Sequence, residues 1–259
     1  MAALDDIYPR KLDIGRVLQR TVWALGKQPA MIFGLALVLS SLPTAISLYR
    51  LRSIVDFDDG FFVRSPEIWG YSLLAMFIHA FFQASVFAVV LGEIAGRPAT
   101  PREVLATGGK FFLPLFAVNL LAILGIVGGL ILLVVPGVIF GLAWLVVGPT
   151  LVVERTGITQ VFGRSAELTR DNRWRLLGLV LIWCIANSIV GNPPPTLHWH
   201  YHSPIEMMDW VFSPIRIGVH AVLSGLLHAV ALTGLAVTYV ELRTLKEGAA
   251  PADLEQVFT

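Results

Sequence analysis

The chain has 259 residues, of which 56 % are apolar and only 14 % charged, and its formal net charge is +1. An average soluble domain carries about 25 % charged residues, so this composition excludes an ordinary water-soluble fold, and no basic arm points to nucleic acid. Cys184 is the only cysteine, which leaves neither a disulfide framework nor a cysteine-based zinc site.

Taken in chain order, the opening segment MAALDDIYPRKLDIGRVLQR lacks an apolar signal region with a small-residue cleavage site, so no removable targeting peptide is expected. Residues 13–27 then read as an amphipathic helix. Ile14, Val17, Leu18, Thr21 and Leu25 form its stripe, Arg16, Arg20 and Lys27 oppose it, and Trp23 breaks the pattern. A first membrane span follows at 29–49, with Pro43 expected to bend it. A second span covers 69–92. Residues 100–110 predict a short second amphipathic helix, with Thr100 and Glu103 spaced as a capping box and Pro101 at the first helical position.

Residues 111–153 contain no charged side chain. About 20 apolar residues cross a bilayer as a helix, so this stretch predicts two spans, 111–135 and 137–153. Pro136-Gly137 would form the turn between them, and Gly148-Pro149 would kink the second. The third amphipathic helix, 158–171, sets Ile158, Val161, Phe162, Ser165 and Leu168 against Arg164, Glu167, Arg170 and Asp171. A fifth span at 175–191 and a sixth at 213–240 complete the chain before a polar tail at 247–259.

Lysine and arginine decide the expected orientation. Arg10, Lys11, Arg16, Arg20 and Lys27 precede the first span, and Arg97, Arg102 and Lys110 lie between the second and third. Arg155, Arg164, Arg170, Arg173 and Arg175 lie between the fourth and fifth, and Arg243 and Lys246 follow the sixth. The other side holds Arg50, Arg52, Arg64 and, at a span edge, Arg216. This bias predicts both termini in the cytoplasm.

Each connection on that side carries an amphipathic helix, and the first and third align without a gap. Val17, Arg20, Gly34 and Leu35 match Val161, Arg164, Gly178 and Leu179 at a constant offset of 144. The expected fold is therefore an all-α, polytopic transmembrane bundle forming one domain. Its six spans would be three parallel hairpin repeats (about 12–96, 97–155 and 156–246), each preceded by a cytoplasmic amphipathic helix.

One stretch, VVPGVIFGLAWLVVGPTLVVERTGITQVFGRSAELTRDNRW, combines a Pro-Gly pair, a late proline (Pro149) and a span-ending Glu154 with Arg164-Ser165, Leu168-Thr169 and Asn172-Arg173-Trp174. It resembles the membrane domain found with some bacterial glycerophosphodiester phosphodiesterases and the related YciC-like inner-membrane proteins. The resemblance implies a fold and a membrane location rather than a reaction. The His-Arg dipeptide and Glu-x-Asp metal motif of the soluble phosphodiesterase domain do not occur in this chain.

Three groups of residues stand out as candidate sites. Arg164, Arg170, Arg173, Trp174 and Arg175 would meet anionic lipid or a partner protein at the cytoplasmic surface, where each cation near such lipid contributes about 1 kcal/mol. His79, Gln83, Asn119, Asn187 and His228 are polar groups inside spans, with Ser72 and His220 nearer their ends. Such residues line solute paths or bond helix to helix. In the loop NPPPTLHWHYHSP, His198, His200 and His202 alternate, so they could converge on a metal with Glu206 or Asp209, or pack with Trp199, Tyr201 and Trp210 in the headgroup layer.

No GxGxxG, P-loop, HExxH or GxSxG pattern occurs. The expectation is a non-enzymatic membrane component without a cofactor, engaging membrane lipids or a membrane or cytoplasmic protein at its cytoplasmic face. A transporter or channel for a small solute is the alternative, and an outer-face metal site a second one.

Overall fold

The computed structural model describes residues 11–54, 66–191 and 212–248. All regular structure among these residues is helical: α1 (Ile14–Lys27), α2 (Pro29–Ala36), a π turn (Leu37–Ser41), α3 (Leu42–Ile54), α4 (Pro66–Ile94), α5 (Pro101–Leu132), α6 (Val134–Ala143), α7 (Val147–Glu154), α8 (Gln160–Thr169), α9 (Arg173–Gly191) and α10 (Pro214–Glu247). Six helical stretches are long and apolar enough to cross a membrane: Pro29–Arg50, Gly70–Ile94, Pro101–Leu132, Val134–Glu154, Arg173–Val190 and Pro214–Glu247. They fall where hydropathy predicts, and the chain is a multi-pass membrane protein.

Local chemistry sets the helix ends. Asp13 accepts from the Arg16 amide at the start of α1. Thr100 and Glu103 complete the expected capping box, Glu103 Oε2 accepting from the Thr100 amide at 2.8 Å. Pro214 opens α10, and Gly248, at φ 61°, closes it in the left-handed conformation that glycine adopts without penalty.

The core lies at one end of the bundle, called here the collar end because α1 and α8 sit there. From Phe82 to Gly92, α4 is buried on every side, as expected for a helix apolar all round at the centre of a bundle. Valines and leucines of α5, α7 and α10 pack around it. By contrast α9 and the α5–α6 junction present bare apolar surface. Ile131 and Leu132 are about 80 % exposed, which hydrocarbon tolerates and water would not.

Several sequence expectations need correction. The short second amphipathic helix is not separate: Pro101–Leu132 runs unbroken through Gly108-Gly109. It stays continuous because Gly108 packs directly on α4; a Cβ there would lie 2.6 Å from Ser85 Oγ. The turn between the third and fourth spans falls at Leu133, in extended conformation, rather than at Pro136-Gly137. Pro136 sits in the first turn of α6, where its missing N–H has no intrahelical role. The fourth span does break, but at Trp144–Val146 instead of Gly148-Pro149; Pro149 lies in the first turn of α7. The α1 face is rotated from the expected stripe, since Val17, Thr21 and Ala24 are buried while Leu18 is exposed.

Candidate functional site

The first span is irregular where it matters. Pro43 cannot donate to the preceding turn, and just before it the helix widens into the π turn Leu37–Ser41, closed by the Leu42 amide donating to the Leu37 carbonyl. Such widened turns are frequent at functional positions. This one carries Ser40 and Ser41 inward, where both are buried. Against it sits Gly225 of α10, so close that a Cβ would lie 2.0 Å from Ser41 Oγ.

Beside this contact a cavity of about 470 Å³ opens between the first, second and sixth spans. Its floor is polar. His79 of α4 and His228 of α10 meet edge to face with ring centroids 5.7 Å apart, and Ser40 Oγ lies 3.3 Å from His228 Nδ1. Its far end holds Arg50, which hydrogen-bonds Tyr71 Oη through Nε (3.0 Å) and Nη2 (2.8 Å). Tyr71 and His79 are eight residues apart on α4, about 12 Å along the axis. Thr44, Ser47 and Ser72 add hydroxyls between these ends, and Leu39, Leu48 and Met76 supply the apolar wall.

Of the predicted polar path, His79 and His228 thus share one site. Gln83 and Asn119 form a second pair one turn closer to the collar, with Asn119 Nδ2 donating to Gln83 Oε1 at 2.9 Å. Asn187 on α9 is half-buried and joins neither pair. His220 approaches the Val190 carbonyl and Ser224, each at 3.3 Å, fastening α9 to α10. Sequence reasoning missed Ser40, Arg50 and Tyr71, because hydroxyls are common in spans and the arginine sits at a span edge.

Among the predicted collar residues, Arg164 and Arg175 have internal partners. Arg164 donates through Nε to Glu154 (2.8 Å), through Nη1 to Glu167 (3.2 Å), and through Nη2 to Glu247. Tyr239 Oη donates to the other Glu154 oxygen at 3.0 Å, and Arg243 bonds Glu247 at 3.0 Å. Partial burial opposes the Arg164 charge, but bonds to Glu154 and Glu247 outweigh it and hold the guanidinium above its ordinary value. Ser165 and Thr169 donate to the Ala143 carbonyl, which the break in the fourth span leaves without an intrahelical partner. Asn172 Oδ1 accepts from the Leu12 amide at 2.8 Å while Arg175 donates to the Leu12 carbonyl, pinning the start of α1.

Arg173 is half-buried, its Nε without a hydrogen-bond partner among the described residues. Arg170 is exposed. Trp174 is 86 % exposed. The loop histidines His198, His200 and His202, with Glu206 and Asp209, lie outside the described residues. Among the described residues no three His, Cys, Asp or Glu side chains gather as a metal site.

Fold and site together define a multi-pass helical membrane protein with a polar-floored cavity inside the bundle. A family described as a domain of unknown function (DUF7847) matches residues 65–242, and the chain belongs to that family. No curated protein and no solved structure matches the chain. The family match fits an uncharacterised membrane domain and does not carry the phosphodiesterase-associated or YciC-like relationship that Val134–Trp174 resembles.

Proposed function

We propose that this chain is a non-catalytic membrane protein that admits a small solute to the cavity between its first, second and sixth spans, as a carrier or channel. The observation that carries the reading is the His79–His228–Ser40 floor. Polar groups are costly to hold at membrane depth and gather where a cavity needs them, and a volume of about 470 Å³ suits a small molecule. Positive-inside bias argues that the collar faces the cytoplasm of an inner membrane and that the Arg50 end faces outward. Proteoliposome swelling with a panel of small solutes tests it: one solute class should enter faster than into protein-free vesicles, and His79→Ala or His228→Ala should abolish the gain. Equal rates with and without protein for every class would overturn it.

The threefold repeat belongs to the same proposal. In its favour, Val17, Thr21 and Ala24 are buried on α1, and Val161, Ser165 and Leu168, at the same offset of 144, are buried on α8. Arg20 and Arg164 also share that offset, and each pairs with a glutamate of α10, Glu241 and Glu247 respectively.

A second reading, engagement of lipid headgroups or a partner at the collar, is favoured by exposed side chains there: Trp174, Val22 at 70 % and Trp23 at 47 %, the last with Lys27 over its ring. Purified protein should prefer anionic vesicles, and Arg170→Glu with Trp174→Ala should weaken the preference. Identical behaviour in neutral and anionic vesicles would remove this reading.

A further inference from the structure

We infer that the cavity takes a small organic anion together with one proton, the proton being held by the His79–His228 pair. The inference rests on the solute-site reading above and adds the charge class of the solute and the coupling to pH.

The chemistry of the lining selects the charge. Hydroxyls, imidazoles, the Tyr71 phenol and the Arg50 guanidinium are all able to donate, and no carboxylate lines the cavity among the described residues. An organic cation would find no counter-charge among these described lining side chains. An anion would meet donors along the whole length, and Leu39, Leu48 and Met76 would cover an apolar body.

The floor lies inside the bundle, between membrane-spanning helices, so an anion settling there needs compensation close by. Imidazole is the side chain that can stay neutral in the empty site and take up a proton when an anion arrives beside it. His79 is faced by His228 from α10 and by the Phe82 ring of its own helix, and Ser40 of the π turn lies against His228. Towards the collar the next polar groups are the neutral Gln83 and Asn119. Towards the far end stand Tyr71 and Arg50, and His220 lies two turns along α10 on the Val190 carbonyl. None of these supplies a fixed negative charge to compete with the ligand. Anion and proton therefore favour one another, and linkage makes the effect reciprocal: lowering pH strengthens anion binding, and anion binding draws a proton in.

The test uses three probes of one shape, benzoate, benzamide and benzamidine, titrated calorimetrically onto the full chain in lipid nanodiscs. Benzoate should bind tightest. Its dissociation constant should fall by up to about tenfold per pH unit between about pH 7.5 and about pH 6.5. Heats in two buffers of different ionisation enthalpy should report uptake of close to one proton per benzoate by the unmodified protein. The His79→Gln/His228→Gln double variant should lose the pH dependence, while Ala75→Phe, which fills the cavity, should block binding at every pH. Benzamide or benzamidine binding as tightly as benzoate, and blocked by Ala75→Phe, would overturn the anion assignment while leaving the solute site standing. Benzoate binding with no proton uptake would overturn the coupling. Binding of none of the three would overturn the inference outright, whereas the solute-site reading stands or falls on the swelling assay.

Discussion

Arg164 on α8 and Glu154 at the end of α7 are joined by a 2.8 Å bond from Nε to Oε2, with both side chains largely shielded, at 23 % and 15 % exposure. Through Glu247 the same guanidinium reaches the last turn of α10. One arginine thus ties the surface helix to the ends of the fourth and sixth spans.

Arg164→Ala should leave Glu154 without its cation and Glu247 with Arg243 alone. Breaking a buried pair costs several kcal/mol and an exposed one less than about 1 kcal/mol, so a loss of about 1–3 kcal/mol is expected for this intermediate case. A lower melting temperature in detergent would register it. An unchanged melting temperature would show that the network contributes nothing.

Gly225 and Gly218 separate packing from composition on one helix. Gly225→Val should cripple folding, because even a Cβ would overlap Ser41 Oγ, whereas Gly218 has no neighbour within 4 Å of such an atom. Gly218→Ala should be neutral or slightly stabilising, since alanine is the better helix former. Monodisperse yield on size exclusion distinguishes the two.

Gln83 and Asn119 suit a double-mutant cycle. Each single change to leucine strands one amide inside the bundle, and the expected coupling is about 0.6–2 kcal/mol. The double variant should be closer to the parent than the two singles together imply. Strict additivity in thermal unfolding would mean that the 2.9 Å bond adds no stability.

Acid should loosen the collar in a defined window. Asp171 is held below the usual carboxylate range by its hydrogen bond to Lys246 (2.9 Å) and by that ammonium's charge. A carboxylate depressed in the folded state contributes fully above its unfolded value, near about 3.9, and the contribution is lost as pH falls through the folded value. Arg164 is shifted the other way, upward, so its contribution is complete below its unfolded value, far into the alkaline range, and is lost only above that. Neither group should make stability vary near neutrality, and Lys246→Met should flatten only the acid limb of the melting-temperature profile.

The spans were legible because a bilayer imposes one dominant requirement, an apolar run of sufficient length, and such a run is a local property. The capping box at Thr100 and Glu103 was legible for a similar reason, since both its partners lie within one turn. The candidate sites were only half legible. His79 and His228 could be named as costly residues in two spans, but they lie 149 positions apart, and nothing local says that they share a floor. Arg164 and Arg175 looked like a basic surface because a single sequence shows a charge without its partner.

By itself, then, the sequence determined that this chain is helical, crosses the membrane several times and keeps a few polar groups inside its spans, because hydropathy and capping act over one or two turns. Only the tertiary structure decided which of those groups meet, where the fourth span breaks, and that Arg20 and Arg164 bind glutamates of their own chain. Those outcomes depend on helix-to-helix packing between residues far apart in the chain, where a glycine such as Gly225 fixes an approach distance that composition cannot express.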